Sequence, residues 1–271
     1  MRQLGAESKS KPFIFYTLVS TDLAIILENV TVDDLLKWMA EPVDVNEDEY
    51  QKWKTEKAKQ GKPSLKALLD KPKRTYVSGS DFRNYLSCAR ILYWNIHNPV
   101  QRKVYLNKGT FQAIKKHELI EERLESRGWY GEFEPKKHLP EYGLDGLGHV
   151  DCLSPSATFF LEIKHNMPFQ ADELQAAWYQ YILEDIPKIV LVYRDQVKII
   201  VDHSKYILKY IPRVCGTIVN NVLPPLHPSY PRCKGTCDYA TRCGRPRRVT
   251  MHQGTPKEWI EYFKAIGAWR E

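Results

Sequence analysis

Between residues 158 and 164 apolar and polar side chains alternate. Phe159, Leu161 and Ile163 fall on one face of an extended strand, and Thr158, Phe160, Glu162 and Lys164 fall on the other. Ser154-Pro155-Ser156 reads as the turn before it, which places Gly148-His149-Val150-Asp151 at an adjacent strand. Two further β-rich runs, 188–193 and 197–203, flank Arg194-Asp195-Gln196 and predict a hairpin that extends the same sheet. The period changes elsewhere. Over 107–125, Ala113, His117, Ile120 and Leu124 recur at helical spacing, and 171–184 lacks Gly and Pro while setting Leu174, Trp178 and Ile182 on one side. Near the start, Thr31 caps a predicted helix running to Ala40, with Asp33 and Asp34 in its first turn. A highly charged helix over 47–60 ends at Gly61-Lys62-Pro63. Strands interleaved with helices make the fold class α/β.

That pattern gathers chemistry. Glu162 and Lys164 share a strand face, and Asp151 on the neighbouring strand can converge with them. Carboxylate oxygens suit Mg²⁺ or Mn²⁺, and a cation there polarises a phosphodiester and acidifies a bound water, which Lys164 can orient. His117, on the apolar side of its helix, is a suitable third ligand. Gln175 and Tyr179 lie four residues apart on one helical face and can hold a phosphate or a base. Each group also has a plain structural reading: an edge-strand salt bridge for Glu162 and Lys164, a satisfied core histidine for His117, a partly buried polar pair for Gln175 and Tyr179.

Composition bounds the function. The 271 residues suffice for one good core and a smaller appendage. A net charge of +7 suits a polyanionic partner. No apolar run approaches the ~20 residues of a membrane span, and residues 1–11 are too polar for a signal peptide or an anchor. No Gly-rich phosphate loop or nucleophilic serine motif is present, so ATP use is not indicated. Of the six cysteines, Cys233, Cys237 and Cys243 crowd together and Cys88 stands far upstream; Cys152 alternates with Asp151 and should face the core, and Cys215 has no partner at ligand spacing. Four thiolates complete either an iron–sulfur or a zinc site.

His117, Asp151, Glu162-x-Lys164 and Gln175-x-x-x-Tyr179, in that order, resemble the RecB-like branch of the PD-(D/E)XK nucleases. One cysteine before that core and three after it resemble the iron–sulfur subgroup. Within it, the segment from Val77 to Arg90 is similar to the opening of the CRISPR-associated exonucleases that accompany the spacer-integration enzymes (the fourth CRISPR-associated protein family). Two spacings depart from that family: three residues separate Cys233 from Cys237, and Gly109 lies farther than usual ahead of His117.

The resemblance implies a mixed central sheet flanked by helices and a cation, Mn²⁺ or Mg²⁺, held by His117, Asp151, Glu162 and the Ile163 carbonyl. It implies catalytic roles for Asp151, Glu162, Lys164, Gln175 and Tyr179, and a [4Fe-4S] cluster on Cys88, Cys233, Cys237 and Cys243, with zinc as the alternative. The implied reaction is hydrolysis of single-stranded DNA at DNA ends, alongside CRISPR integrase proteins, in a prokaryotic cytoplasm. A stand-alone repair or recombination nuclease and a non-catalytic DNA-binding scaffold are the competing readings. The expected organisation is a helical accessory region (1–76) containing the basic linker Lys71-Pro72-Lys73-Arg74, then the nuclease core (77–223), then a C-terminal segment (224–271). That last segment carries Arg232, Lys234, Arg242, Arg245, Arg247 and Arg248 interleaved with Tyr230 and Tyr239, a pattern suited to single-stranded nucleic acid, and it ends in an amphipathic stretch over 256–269.

Overall fold

The computed structural model describes residues 17–19, 26–59, 73–99, 106–165, 170–184, 188–201, 204–228, 237, 239–244 and 255–266. The first described elements are strands β1 (Thr17–Val19), β2 (Ile26–Leu27) and β3 (Val30–Thr31), then helices α1 (Val32–Ala40) and α2 (Glu47–Lys59). Strand β4 (Tyr76–Ser78) leads into α3 (Gly79–Ser87), α4 (Ala89–His97) and α5 (Lys108–Glu125). Strands β5 (Tyr130–Phe133), β6 (Lys136–Leu139), β7 (Leu144–Leu147), β8 (Val150–Leu153) and β9 (Phe159–Ile163) follow. Next come α6 (Gln170–Leu183), β10 (Lys188–Val192), β11 (Val197–Val201), α7 (Ser204–Leu208), α8 (Ile211–Val219) and α9 (Pro256–Ile266).

The main sheet has the order β1-β11-β10-β9-β8-β5 and is mixed: β9 and β10 are parallel, and the other neighbours are antiparallel. A parallel pair needs a crossover, which α6 supplies. The predicted hairpin is present, closed by the Tyr193 N–H on the Gln196 carbonyl at 2.8 Å. Period-2 burial separates the two faces. Phe160, Ile189, Leu191 and Ile200 join Leu174 and Trp178 of α6, Phe82 of α3 and Val214 of α8 in one buried cluster. Cys152, Leu161, Ile163, Val190 and Val192 join Leu35 and Trp38 of α1 and Ile120 and Leu124 of α5 in another. Burying each such side chain contributes about 1.5–3 kcal/mol, enough to fix the register of the strands between the helical layers. Of the residues grouped in sequence with the accessory region, 17–19 therefore share the main sheet, and Leu27, Val30, Val32, Leu35, Trp38 and Met39 share the second cluster with the rest.

Local chemistry fixes the helix that carries His117. Asn107 caps α5 by accepting the Thr110 N–H at 2.8 Å. Thr31 and Asp34 form a reciprocal capping box on α1, each accepting the other's N–H at 3.0 Å. Lys116, buried on α5, donates to the Trp38 carbonyl at 3.0 Å and to the Glu41 carbonyl, so its charge closes the C-terminal end of α1. The two helices are thereby locked one residue from His117.

A second sheet, β4-β7-β6, pairs β4 with β7 in parallel and β6 with β7 antiparallel. It delivers the chain to the cleft twice, from β4 into the start of α3 and from β7 through Gly148-His149 into β8.

The C-terminal segment grips α4. The Ala89 N–H donates to the Tyr262 hydroxyl at 3.4 Å, Arg90 Nε donates to the Pro224 carbonyl at 2.8 Å, and the Tyr239 hydroxyl donates to Asn95 Oδ1 at 2.8 Å. Tyr239 stacks on Trp94 at 6.5 Å, and Arg242 lies 5.7 Å above the Trp94 ring. Cys88 thus heads the helix that this segment holds, while Cys237 and Cys243 flank the turn that presents Tyr239. Cys233, Tyr230, Arg232, Lys234, Arg245, Arg247 and Arg248 lie outside the described residues. The amphipathic stretch is α9, whose Tyr262 and Ile266 are buried against the first cluster.

Candidate metal centre

In β8 and β9, Cys152 lies opposite Leu161 and Leu153 opposite Phe160. The next positions in that register are Asp151 and Glu162, and there the ladder stops. Asp151 Oδ2 instead accepts the Ile163 N–H at 2.6 Å, so a carboxylate fills the place of a strand partner. Because side chains alternate, Cys152 turns into the opposite cluster, and Asp151 and Glu162 face the same way. Glu162 is 1% exposed and Asp151 8% exposed. Lys164 Nζ donates to Glu162 Oε2 at 2.6 Å and lies 3.5 Å from Gln175 Oε1.

Helix α6 lays Gln175 and Tyr179 alongside, the Gln175 amide donating to the Tyr179 hydroxyl at 2.7 Å. The start of α3 can press against this pair only because residue 79 lacks a side chain: a Cβ there would stand 2.6 Å from the Tyr179 ring. Across the gap, α5 brings His117 Nε2 to 3.6 Å from Asp151 Oδ1 and 3.1 Å from Glu121 Oε1. Together these groups line a cleft of about 460 Å³, with His117, Asp151, Glu162, Ile163, Lys164, Gln175 and Tyr179 all on its wall. Ser78, Gly79 and Ser80 at the start of α3, and Leu147, Gly148 and His149 before β8, form its rim.

The electrostatics follow from burial. Desolvation pushes Glu162 up to about 7 despite the Lys164 charge beside it. Desolvation also opposes ionisation of Asp151, but the hydrogen bond and charge of His117, with the Ile163 N–H, hold its carboxyl below the usual value. Burial disfavours charge on His117, yet Asp151 and Glu121 together raise it above the ordinary imidazole value. Lys164 resists desolvation because Glu162 is in contact, and its ammonium is held above the ordinary range. Burial raises the Tyr179 hydroxyl, which stays neutral.

These residues fit a divalent cation. Glu162 Oε1 is buried and has no hydrogen-bond partner, so a carboxylate oxygen stands desolvated and unsatisfied beside Asp151. The donors are two hard carboxylates, an imidazole and the backbone at Ile163, a set that Mn²⁺ or Mg²⁺ accepts.

Sequence reasoning missed Glu121, although it stands one helical turn after His117. It sits in a run with Glu118 and Glu122 that reads as a solvated face. In the structure its oxygen, His117 nitrogen and Asp151 oxygen all lie within 4.8 Å of one another. The rim from β4 and β7 was also not legible, since strands of three and four residues carry little periodicity. For the proposed cluster ligands, Cys88, Cys237 and Cys243 lie on the two segments that meet at α4. Cys152 and Cys215 are fully buried in separate clusters, with burial pushing the Cys215 thiol up to about 12.

No protein-family model matches the chain, and no curated protein does. Among solved structures, one titled "Crystal structure of SSO0001" is similar with a TM-score of 0.45 and 14% identity, covering 76% of this chain and 98% of that one. At that distance the likeness places neither the site nor its chemistry.

Proposed function

We propose that the chain is a metal-dependent DNA exonuclease, a PD-(D/E)XK nuclease of the RecB-like type, that hydrolyses phosphodiester bonds at single-stranded DNA ends. The observation that carries this reading is the unpartnered, buried Glu162 oxygen beside Asp151 and Lys164 at an open cleft. His117, Asp151, Glu162 and the Ile163 carbonyl supply the ligands. Bound Mn²⁺ or Mg²⁺ would provide Lewis acidity toward a phosphoryl oxygen and acidify a bound water.

The chain's own residues do the rest. Asp151 is kept ionised by His117 and the Ile163 N–H, and Lys164 is kept charged by Glu162. The Lys164 ammonium orients the attacking water and offsets negative charge growing on the phosphate. Gln175 and Tyr179 stay neutral and position the strand by hydrogen bonds. In the reaction a water oxygen bonds to phosphorus, the bond to the leaving sugar oxygen breaks, and the proton released by the water is balanced by one taken up at that oxygen.

The order of motifs and the placement of the cysteines support assignment to CRISPR adaptation. By that assignment the enzyme trims DNA ends before integration, acts with integrase proteins in a prokaryotic cytoplasm, and holds a [4Fe-4S] cluster on Cys88, Cys233, Cys237 and Cys243. The deciding experiment is digestion of end-labelled single-stranded DNA with and without Mn²⁺. Metal-dependent release of end nucleotides, lost in Glu162→Ala, supports the reading. Metal-independent cleavage, or wild-type turnover by Glu162→Ala, overturns it.

A further inference from the structure

We propose that Arg83 is a phosphate anchor: its guanidinium, fixed from behind by the buried Asp172, binds a backbone phosphate of single-stranded DNA at the end of the cleft. The inference rests on the nuclease reading above and names a residue of its substrate track. Helices α3 and α6 run antiparallel where they meet, since residue 79 faces Gln175 and Tyr179 whereas Arg83 meets Asp172. Arg83 follows Gly79 by one turn of α3, and Asp172 precedes Gln175 by one turn of α6. Tyr179, Gln175 and the Arg83–Asp172 pair therefore form a row along the junction of the two helices, the pair lying ~5 Å beyond Gln175. Asp172 is close enough to help hold the Lys164 ammonium above its ordinary range, so this end of the row adjoins the acidic centre.

The form of the ion pair distinguishes an anchor from a brace. Asp172 is 0% exposed, and Arg83 Nε donates to its Oδ1 at 2.7 Å. Asp172 Oδ2 is buried without a hydrogen-bond partner. Among the described residues, Arg83 Nη1 and Nη2 have no acceptor, and the side chain is 43% exposed. Arg74 shows the other form on the same helix: its Nη1 and Nη2 meet both oxygens of Asp81, at 3.0 and 2.6 Å. A pair that only braced α3 against α6 would gain a second hydrogen bond from that fork and leave no buried oxygen orphaned. Arg83 instead commits one nitrogen to Asp172 and leaves the other two open to solvent. Two such donors at fixed spacing match two oxygens of a phosphate. The lysines nearby are engaged elsewhere, Lys164 with Glu162 and Lys198 with Glu173. Asp172 acts through Arg83 and is a positioning residue.

Single-stranded oligonucleotides, each carrying one uncharged methylphosphonate at a different position, test this by binding to full-length protein in EDTA, without turnover. For the wild type, one position near the DNA end should weaken binding on the order of tenfold, the loss of a charged hydrogen-bonding contact. Arg83→Gln should bind unmodified DNA that much more weakly, and the same methylphosphonate should then cost nothing further. Its slope of log Kd against log salt should be shallower by about 0.7, the share of one phosphate on a single strand. Arg83→Lys, which keeps the charge without the fork, should restore the slope but only part of the affinity. The double variant Arg83→Gln/Asp172→Asn removes the buried charge together with its partner, so it folds even where Arg83→Gln alone does not, and it should show the same losses. In the cleavage assay KM should rise with kcat little changed, as for a contact equally strong in ground and transition states. A methylphosphonate profile and salt slope identical in the wild type and the Gln variants overturn the anchor and leave the nuclease reading intact. A wild type that neither binds nor cleaves single-stranded DNA overturns the nuclease reading, and the anchor with it.

Discussion

Glu162 concentrates the energetic tension of the site, because a buried carboxylate with one oxygen unpaired is a poor element of stability. Desolvation moves it from 4.5 to about 7, so between those values the folded chain holds a proton that the unfolded chain has released. Its contribution to stability therefore falls as pH rises through that window. His117 and Glu121, both raised, act in the same direction, whereas Asp151, lowered, loses its contribution only as pH falls below its ordinary 3.8. Comparison with Glu162→Gln isolates the Glu162 part. In EDTA, the melting temperature of Glu162→Gln should gain on the wild type between pH 5 and pH 7, and Mn²⁺ should reverse the order at pH 7. A constant difference across that range would show that Glu162 is not strained by burial. Catalysis should respond oppositely: Glu162→Gln and Lys164→Ala should each lower kcat by roughly 10³ or more in single-turnover assays, since they act on the chemical step.

At the scale of elements, legibility tracked the length of the repeating pattern. The alternation from Thr158 to Lys164 and the helical period through His117 and Ile120 were readable because several positions agree on one face. The pairing β4-β7-β6 joins short segments far apart in sequence, and lysines and glycines there hide any alternation. Glu121 was obscured differently, by like-charged neighbours that made a residue in contact with His117 look like surface. Gly79 gave no signal either, since only the packed structure shows the Tyr179 ring where a side chain would go. Gly79→Ala should push α3 from α6, destabilise the fold by about 1–3 kcal/mol in urea titrations, and slow cleavage by displacing Gln175 and Tyr179. Gly109→Ala, inside α5 and 3.4 Å from its nearest neighbour, should instead be neutral or stabilising by up to ~1 kcal/mol. Equal effects at the two glycines would contradict the packing argument.

The first and last described elements are both tied into the fold. Strand β1 lies on the sheet edge and α1 against α5, and the described part of the C-terminal segment returns to α4, directly after Cys88. A cluster on Cys88, Cys233, Cys237 and Cys243 would staple that return, so its loss should loosen the contacts of Tyr239 and Tyr262 with α4. Freshly purified protein should be brown and carry roughly four irons per chain, as a cubane cluster requires. Cys88→Ser should bleach it and lower the melting temperature by on the order of 10 °C. That figure takes ~4 kcal/mol for closing a long loop and ~2–4 °C per kcal/mol in a chain of this size. Cys152→Ala and Cys215→Ala remove buried thiols from the two sheet-facing clusters, so each should cost some stability while the colour stays. Anaerobically purified protein with one zinc and no iron would replace the cluster with a zinc knot and leave the Asp151–Glu162 centre untouched. Colour that survives Cys88→Ser but not Cys215→Ala would place the ligands in the core, and the grip of the C-terminal segment on α4 would then rest on its aromatic and hydrogen-bond contacts alone.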